Sequence, residues 1–262
     1  MATFDTAYSV AKSAISEILA NADAQTSYPS FINRQSAQLF DYAAGEDKRH
    51  FKAELARLLN STTPDPTVVY RGLLIQLNGV FEGFIKSYVA AHVERVGSTE
   101  STFSTLAAPL RTAYTAYAGR VLARIHEGSI NGIAYDFDAL QASLGTCFSN
   151  ASPFGLKGEV FTVLMGNCTP ERLEKVFQQV GLPEPFGDPI GKHKSIQGWC
   201  GEKRARAAAS LAREELERQI EMRNDLVHGL ATKAVVISDV QHAANFFAAI
   251  IEAYHDTATT PR

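Results

Sequence analysis

The stretch from Thr67 to Val96 constrains this chain most. Its apolar residues Val69, Leu73, Leu74, Leu77, Val80, Phe81, Phe84, Ile85 and Val89 recur at helical spacing. A β-strand seldom exceeds about ten residues, so the stretch predicts one long helix. Its apolar stripe must be covered by other elements, and the rest of the chain supplies helices to do so. Gly72, Gly79 and Gly83 interrupt the pattern. Each costs about 1 kcal/mol relative to alanine inside a helix, and together they predict close approach of a neighbouring helix.

Upstream, Ala7, Val10, Ala11, Ala14, Ile15, Ile18 and Leu19 predict an amphipathic helix over 5–21. Asn21 to Pro29 reads as a turn, with Ser30 capping a helix to about Ala43. Gly45-Glu46-Asp47 is a break, and Phe51 to Leu59 resumes helical spacing. Asn60 to Pro66 is a loop and the one candidate boundary, which divides an extension over 1–60 from a domain over 65–256.

Downstream, Phe103 to Glu127 predicts a helix with Pro109 in its first turns and a stripe from Leu106 to Ile125. Tyr114 and Tyr117 in that stripe read as core, not as a base-stacking platform. Asn131-Gly132 turns the chain, and Asp136 or Asp138 caps a short helix through Leu144. Residues 147–168 are irregular, with Val160 to Met165 either a short strand or a helix. Thr169 as N-cap and Pro170 at N1 open a helix to Val180. Gly181 to Trp199 reads as a long loop carrying Lys192-His193-Lys194. Glu202 to His228 is helical, its mixed charges forming a mostly solvated face. Ser238 or Asp239 caps a final helix to about His255, and Thr257 to Arg262 is expected to be disordered.

Composition closes several function classes. Net charge is -3 and the pI about 6.2, so the chain carries no general attraction for polyanions, and a nucleic-acid site must be a local patch. Cys147, Cys168 and Cys200 are widely spaced, which fits a reducing cytoplasm better than a disulfide framework or structural zinc. The seven histidines contain no His-x-x-x-His pair, and no metal or cofactor is expected. No apolar run is long enough for a membrane span, and Met1 to Ile18 lacks the basic start of a signal peptide.

One short stretch stands out, Glu221-Met222-Arg223-Asn224-Asp225-Leu226-Val227-His228-Gly229. It places a fixed cation, an amide and an imidazole at a helix end. Arginine and histidine suit any last turn, and glycine is the commonest stop, so the stretch alone is ordinary capping. Asn224 and His228 share a face at i and i+4. Arg223 and His228, five positions apart, diverge by roughly 140° at about 100° per residue. Either the last turn unwinds to bring them together, or Arg223 acts with His228 of another copy.

The run Arg223-Asn224-Asp225-Leu226-Val227-His228 resembles the signature of the HEPN superfamily, Arg, a polar residue, a short spacer, then His on a late helix. In its Arg-Asn-x-x-x-His-Gly form it is most similar to the large bacterial families near the RiboL-PSP group. Leu77 to Lys86 is similar to their early core helix with one inward glutamate, here Glu82, and Thr169 to Leu182 to the short helix before the final one. The resemblance covers roughly 65–255. It implies an all-α, HEPN-like helical bundle with additional N-terminal helices and an irregular insertion around 147–168. A solvated Glu82–Lys86 pair competes with the inward reading of Glu82.

The resemblance also implies an activity: metal-independent endonucleolytic cleavage of RNA leaving a 2′,3′-cyclic phosphate, by a toxin or antiphage effector. His228 would be the general acid or base, because imidazole titrates near neutrality. Arg223 would hold the phosphate with its planar fork. Asn224 would orient His228 or substrate, Asp225 would support the imidazole or cap locally, and Lys192 and Lys194 are the first candidates for further phosphate contacts. The implied partners are RNA, a second copy with the motif helices facing each other, and an antitoxin or regulatory protein. An antitoxin that modifies a tyrosine just after the histidine is disfavoured, because no tyrosine lies between His228 and Tyr254. The competing reading is a non-catalytic module that binds RNA, a nucleotide or a partner protein.

Overall fold

The computed structural model describes residues 3–42, 65–124, 127, 129–130, 133–134, 136–162, 165–230 and 234–259. Its order is α1 (Phe4–Tyr42), α2 (Pro66–Thr99), α3 (Ala108–Leu122), a hairpin of β1 (Ser129–Ile130) and β2 (Ile133–Ala134), α4 (Phe137–Phe148), α5 (Glu159–Thr162), α6 (Pro170–Val180), α7 (Asp188–Gly191), α8 (Lys194–Cys200), α9 (Ala205–Val227) and α10 (Ile237–Thr259). The fold is all-α. The hairpin pairs Ser129 with Ala134 and Ile130 with Ile133 in antiparallel register.

Helix α10 is the centre. Val240, Ala243, Ala244, Phe246, Phe247, Ile250, Ile251, Ala253 and Tyr254 are all buried, leaving a strip at Gln241, Asn245 and Ala248 exposed, a wide apolar face typical of a helix set into the core. It packs on α1, α2, α8 and α7, and more lightly on α9. Aromatic rings lock it to α2 and α6. Phe247 lies 5.2 Å from Phe81, and Tyr254 lies 6.0 Å from Tyr88 and 5.5 Å from Phe177. Each such buried side chain stabilises the fold by about 1.5–3 kcal/mol through area removed from water.

Helix α2 begins as its sequence dictates. Asp65 accepts the Thr67 N–H at 2.9 Å and Pro66 occupies the first turn. A Cβ built on Gly72, Gly79 or Gly83 meets nothing within 4 Å, so the close helix approach expected there is not what these glycines serve. Asp136 caps α4 by accepting from Ala139 N–H at 2.8 Å. Gly181 ends α6 in the left-handed region at φ 78°. The irregular 147–168 segment contains one helical turn, α5, which settles the strand-or-helix alternative over its described residues.

Several expectations are corrected. Asn21 to Pro29 is no turn, because α1 runs unbroken from Phe4 to Tyr42. The stripe Ala7, Ala11, Ile15, Ile18, Ala22 is buried, against α2 and α10, and this packing overrides the weak local signal of Asn21. The break at 45–47, the helix over 51–59 and the loop from 60 through 64 lie outside the described residues, as does Asn131-Gly132. The segment 181–199 is not one loop, since α7 and α8 lie within it. Phe103 to Glu127 is likewise not one helix. A 3₁₀ turn at Phe103–Thr105 precedes α3, which ends at Leu122. Thr257 to Thr259 belong to α10, and 260–262 lie outside the described residues.

Candidate functional site

Helix α9 carries the Arg-Asn-x-x-x-His stretch at its C-terminal end. Its buried face is small, with Ala208, Ala209, Ala212, Leu216 and Ile220 inward, so α9 lies close against α7, α8 and α2. The helix stops in a double-bonded cap. His228 N–H still donates to Asn224 C=O at 3.0 Å. Gly229, at φ 70°, donates to Leu226 C=O at 3.4 Å, and Leu230 N–H reaches Asp225 C=O at 2.8 Å. This is the Schellman arrangement, which needs a left-handed residue where glycine carries no Cβ penalty. The last turn therefore stays wound, and unwinding does not bring Arg223 and His228 together.

The side chains follow from that geometry. The half-buried Arg223 donates from Nη1 to Asn224 Oδ1 at 3.1 Å, not to His228. Asn167 Nδ2 reaches the same Asn224 oxygen at 3.5 Å, a long contact. Asn167 sits in a tight bend whose Gly166 has φ 58°. Arg172 of α6 spans that bend, donating to Met165 C=O and Asn167 C=O at 3.2 Å each. The Arg223 guanidinium is thus steered through Asn224 by a segment more than fifty residues upstream. His228 and Asp225 are exposed, and no side-chain hydrogen bond to either is present among the described residues.

Glu82 is half-buried on α2. Its charge acts on Cys168, adjacent to Asn167. Burial first, and then the Glu82 charge, push the Cys168 thiol up to about 12, so it stays neutral and unreactive at physiological pH. No ion pair joins Glu82 to Lys86 among the described residues. The basic pair Lys192 and Lys194 lies elsewhere. Gly191 packs on the backbone of Ala205, at the start of α9, and Arg223 is 18 residues on, about 27 Å at 1.5 Å per residue. Lys192 and Lys194 are exposed, and Lys192 pairs with Asp188 at 3.1 Å. The structure does not bring them to the motif.

Two features escaped the sequence reading. One is the Asn167–Arg172 support, whose only signal is the Gly166-Asn167 bend before the Thr169-Pro170 cap. The other is a buried polar cluster on α9. Glu215 was grouped with a solvated face but is buried. It accepts from Arg218 at 2.6 and 2.8 Å, from Gln219 at 2.7 Å, and bonds His242 Nε2 of α10 at 3.0 Å. Burial alone would raise its pKa, but Arg218, Gln219 and the His242 charge outweigh burial and hold the carboxyl below its ordinary value. Arg213 likewise ties α9 to α6 through Glu171 at 2.6 Å and Glu174 at 2.9 Å.

Apolar side chains are exposed in and beyond the motif as well: Val227 is 49% exposed, Leu230 67% and Val236 49%. No group of three His, Cys, Asp or Glu side chains able to hold a metal occurs among the described residues, and no helix among them is long and apolar enough to cross a membrane. No protein-family model, no curated protein and no solved structure matches this chain.

Proposed function

We propose that this protein is a metal-independent endoribonuclease of the HEPN type, acting as a toxin or antiphage effector. One observation carries the reading. At a single helix end, a half-buried arginine is held through an asparagine while a histidine three residues past that asparagine's neighbour stands open to solvent. The reaction would proceed by attack of the RNA 2′-hydroxyl on phosphorus and cleavage of the bond to the 5′-oxygen. The products would be a 2′,3′-cyclic phosphate and a 5′-hydroxyl. Imidazole would take the 2′ proton or deliver one to the departing oxygen. The guanidinium would stabilise charge on the non-bridging oxygens.

Because Arg223 and His228 diverge on one wound helix, the working cleft would be built from two copies, each contributing its helix end. The exposed Val227, Leu230 and Val236 supply an apolar surface for that contact. The second reading, a non-catalytic binding module, draws on the same divergence, since one chain alone does not converge its two groups.

The test is cleavage of total RNA and tRNA in EDTA by wild type, His228→Ala and Arg223→Ala, with helix content and oligomeric state measured for each. Cleavage by wild type and loss in both folded variants supports the nuclease. Equal cleavage by the variants, or an inert dimeric wild type, transfers the motif to the binding reading.

A further inference from the structure

A cavity of about 680 Å³ lies between α2, α4 and the segment leading into α5. That is the size range of small-molecule sites. Its walls include the short side chains of Ala90 and Ala91 on α2 and of Ala139 and Ala142 on α4. Along its α2 wall, Lys86, Ala90 and Glu94 lie at i, i+4 and i+8, on one line of the helix. The backbone positions of Lys86 and Glu94 are therefore about 12 Å apart along the axis at 1.5 Å per residue.

The acidic end is built, not merely exposed. A Cβ on Gly158 would meet Ala90 C=O at 2.3 Å, so the chain lies backbone against backbone on α2. From there Gly158 hydrogen-bonds the Glu94 carboxylate, and Lys157 and Glu159 flank it on the cavity wall. Burial first, and then the Glu159 charge, push the Glu94 carboxyl up. Glu94 and Glu159 thus act on each other at this end, with Lys157 beside them. Lys86 is the cation at the other end. None of the four charged side chains is in an ion pair among the described residues, although opposite charges so placed on a flexible surface ordinarily pair.

We propose that this cavity binds a small linear zwitterion, its ammonium held between Glu94 and Glu159 and its carboxylate by Lys86. An extended tripeptide spans about 10 Å, a length both side chains can reach from backbone positions about 12 Å apart. The small walls favour short side chains. This assignment stands independently of the nuclease reading.

The probe is trialanine with free ends, titrated calorimetrically into the full-length protein. Versions acetylated at the amine or amidated at the carboxylate are titrated in parallel. Wild type should bind the free peptide at least tenfold more tightly than either capped form. Lys86→Ala should weaken the free peptide about tenfold and leave the amidated peptide unchanged, and Glu94→Gln should do the converse with the acetylated one. Glu94→Gln keeps an acceptor for Gly158, and thermal melts check that both variants fold. No binding of trialanine at 10 mM (an arbitrary ceiling of about 3 kcal/mol), or binding indifferent to the caps and to both variants, overturns the proposal.

Discussion

The middle and the end of α9 are made of similar residues and do opposite things. In the middle Glu215, Arg218 and Gln219 are bound to one another and to His242 of α10, with alanines packed beneath. In the last turn Arg223 is tied only through Asn224, while Asp225, Val227, His228 and Leu230 face solvent. Buried charged and amide groups bound to one another specify a packing arrangement, and here one atom, Gln219 Oε1, has no partner among the described residues. The same groups left open, beside unburied apolar side chains, suit contact with something outside the chain. Charge on this helix is therefore not one solvated face. It is a buried cluster followed by an exposed end.

The comparison breaks first at the working end. His228→Ala and Arg223→Ala should each lower RNA cleavage on the order of 100-fold or more and leave stability within about 0.5 kcal/mol, as exposed or lightly held positions do. A large drop in urea midpoint would instead make the motif a structural cap. The packed middle should respond in reverse. Glu215→Ala strips Arg218, Gln219 and His242 of a shared acceptor and should cost about 2–3 kcal/mol, read by denaturant unfolding. Residual activity per folded molecule should be unchanged.

The sign of the pH effect sharpens this. Glu215 is held below its ordinary pKa in the fold, so its cluster contributes stability above the unfolded carboxyl value, about 4.3. That contribution is lost as pH falls through the folded value. Between pH 6 and pH 3 the wild type should lose more stability than Glu215→Gln does. Smaller still, Asn167→Ala should lower cleavage about tenfold by loosening Asn224, with substrate affinity retained. Smallest for the single chain, Leu230→Ser should change its stability by less than about 0.5 kcal/mol, while dimer formed through the motif end should fall measurably in sedimentation.

Much of the architecture was legible because it rests on local signals. The stripe of α2, the Asp65 and Asp136 caps, Pro170 opening α6 and Gly229 closing α9 each follow from spacing or from a residue's own backbone preference. The motif was legible as a contiguous string. Its support was not, because Asn167 meets Asn224 across 57 positions. Glu215 was misread for the same reason. An arginine three residues on looks identical in a solvated pair and a buried one, and the deciding partner, His242, lies 27 positions away. The continuity of α1 through Asn21 also depended on α2 and α10, which a local reading does not see.

The contact of Gly191 with the Ala205 backbone, where a Cβ would come within 1.9 Å of the carbonyl oxygen, has a mechanical consequence. A bulkier residue at position 191 must push the start of α9 away, and Arg213 and Glu215, which pin the helix to α6 and α10, stand between that strain and the imidazole. These fastenings, spread along the first half of the helix, hold its axis as a row of pins holds a rod, so that the exposed end keeps its aim when one of them is disturbed.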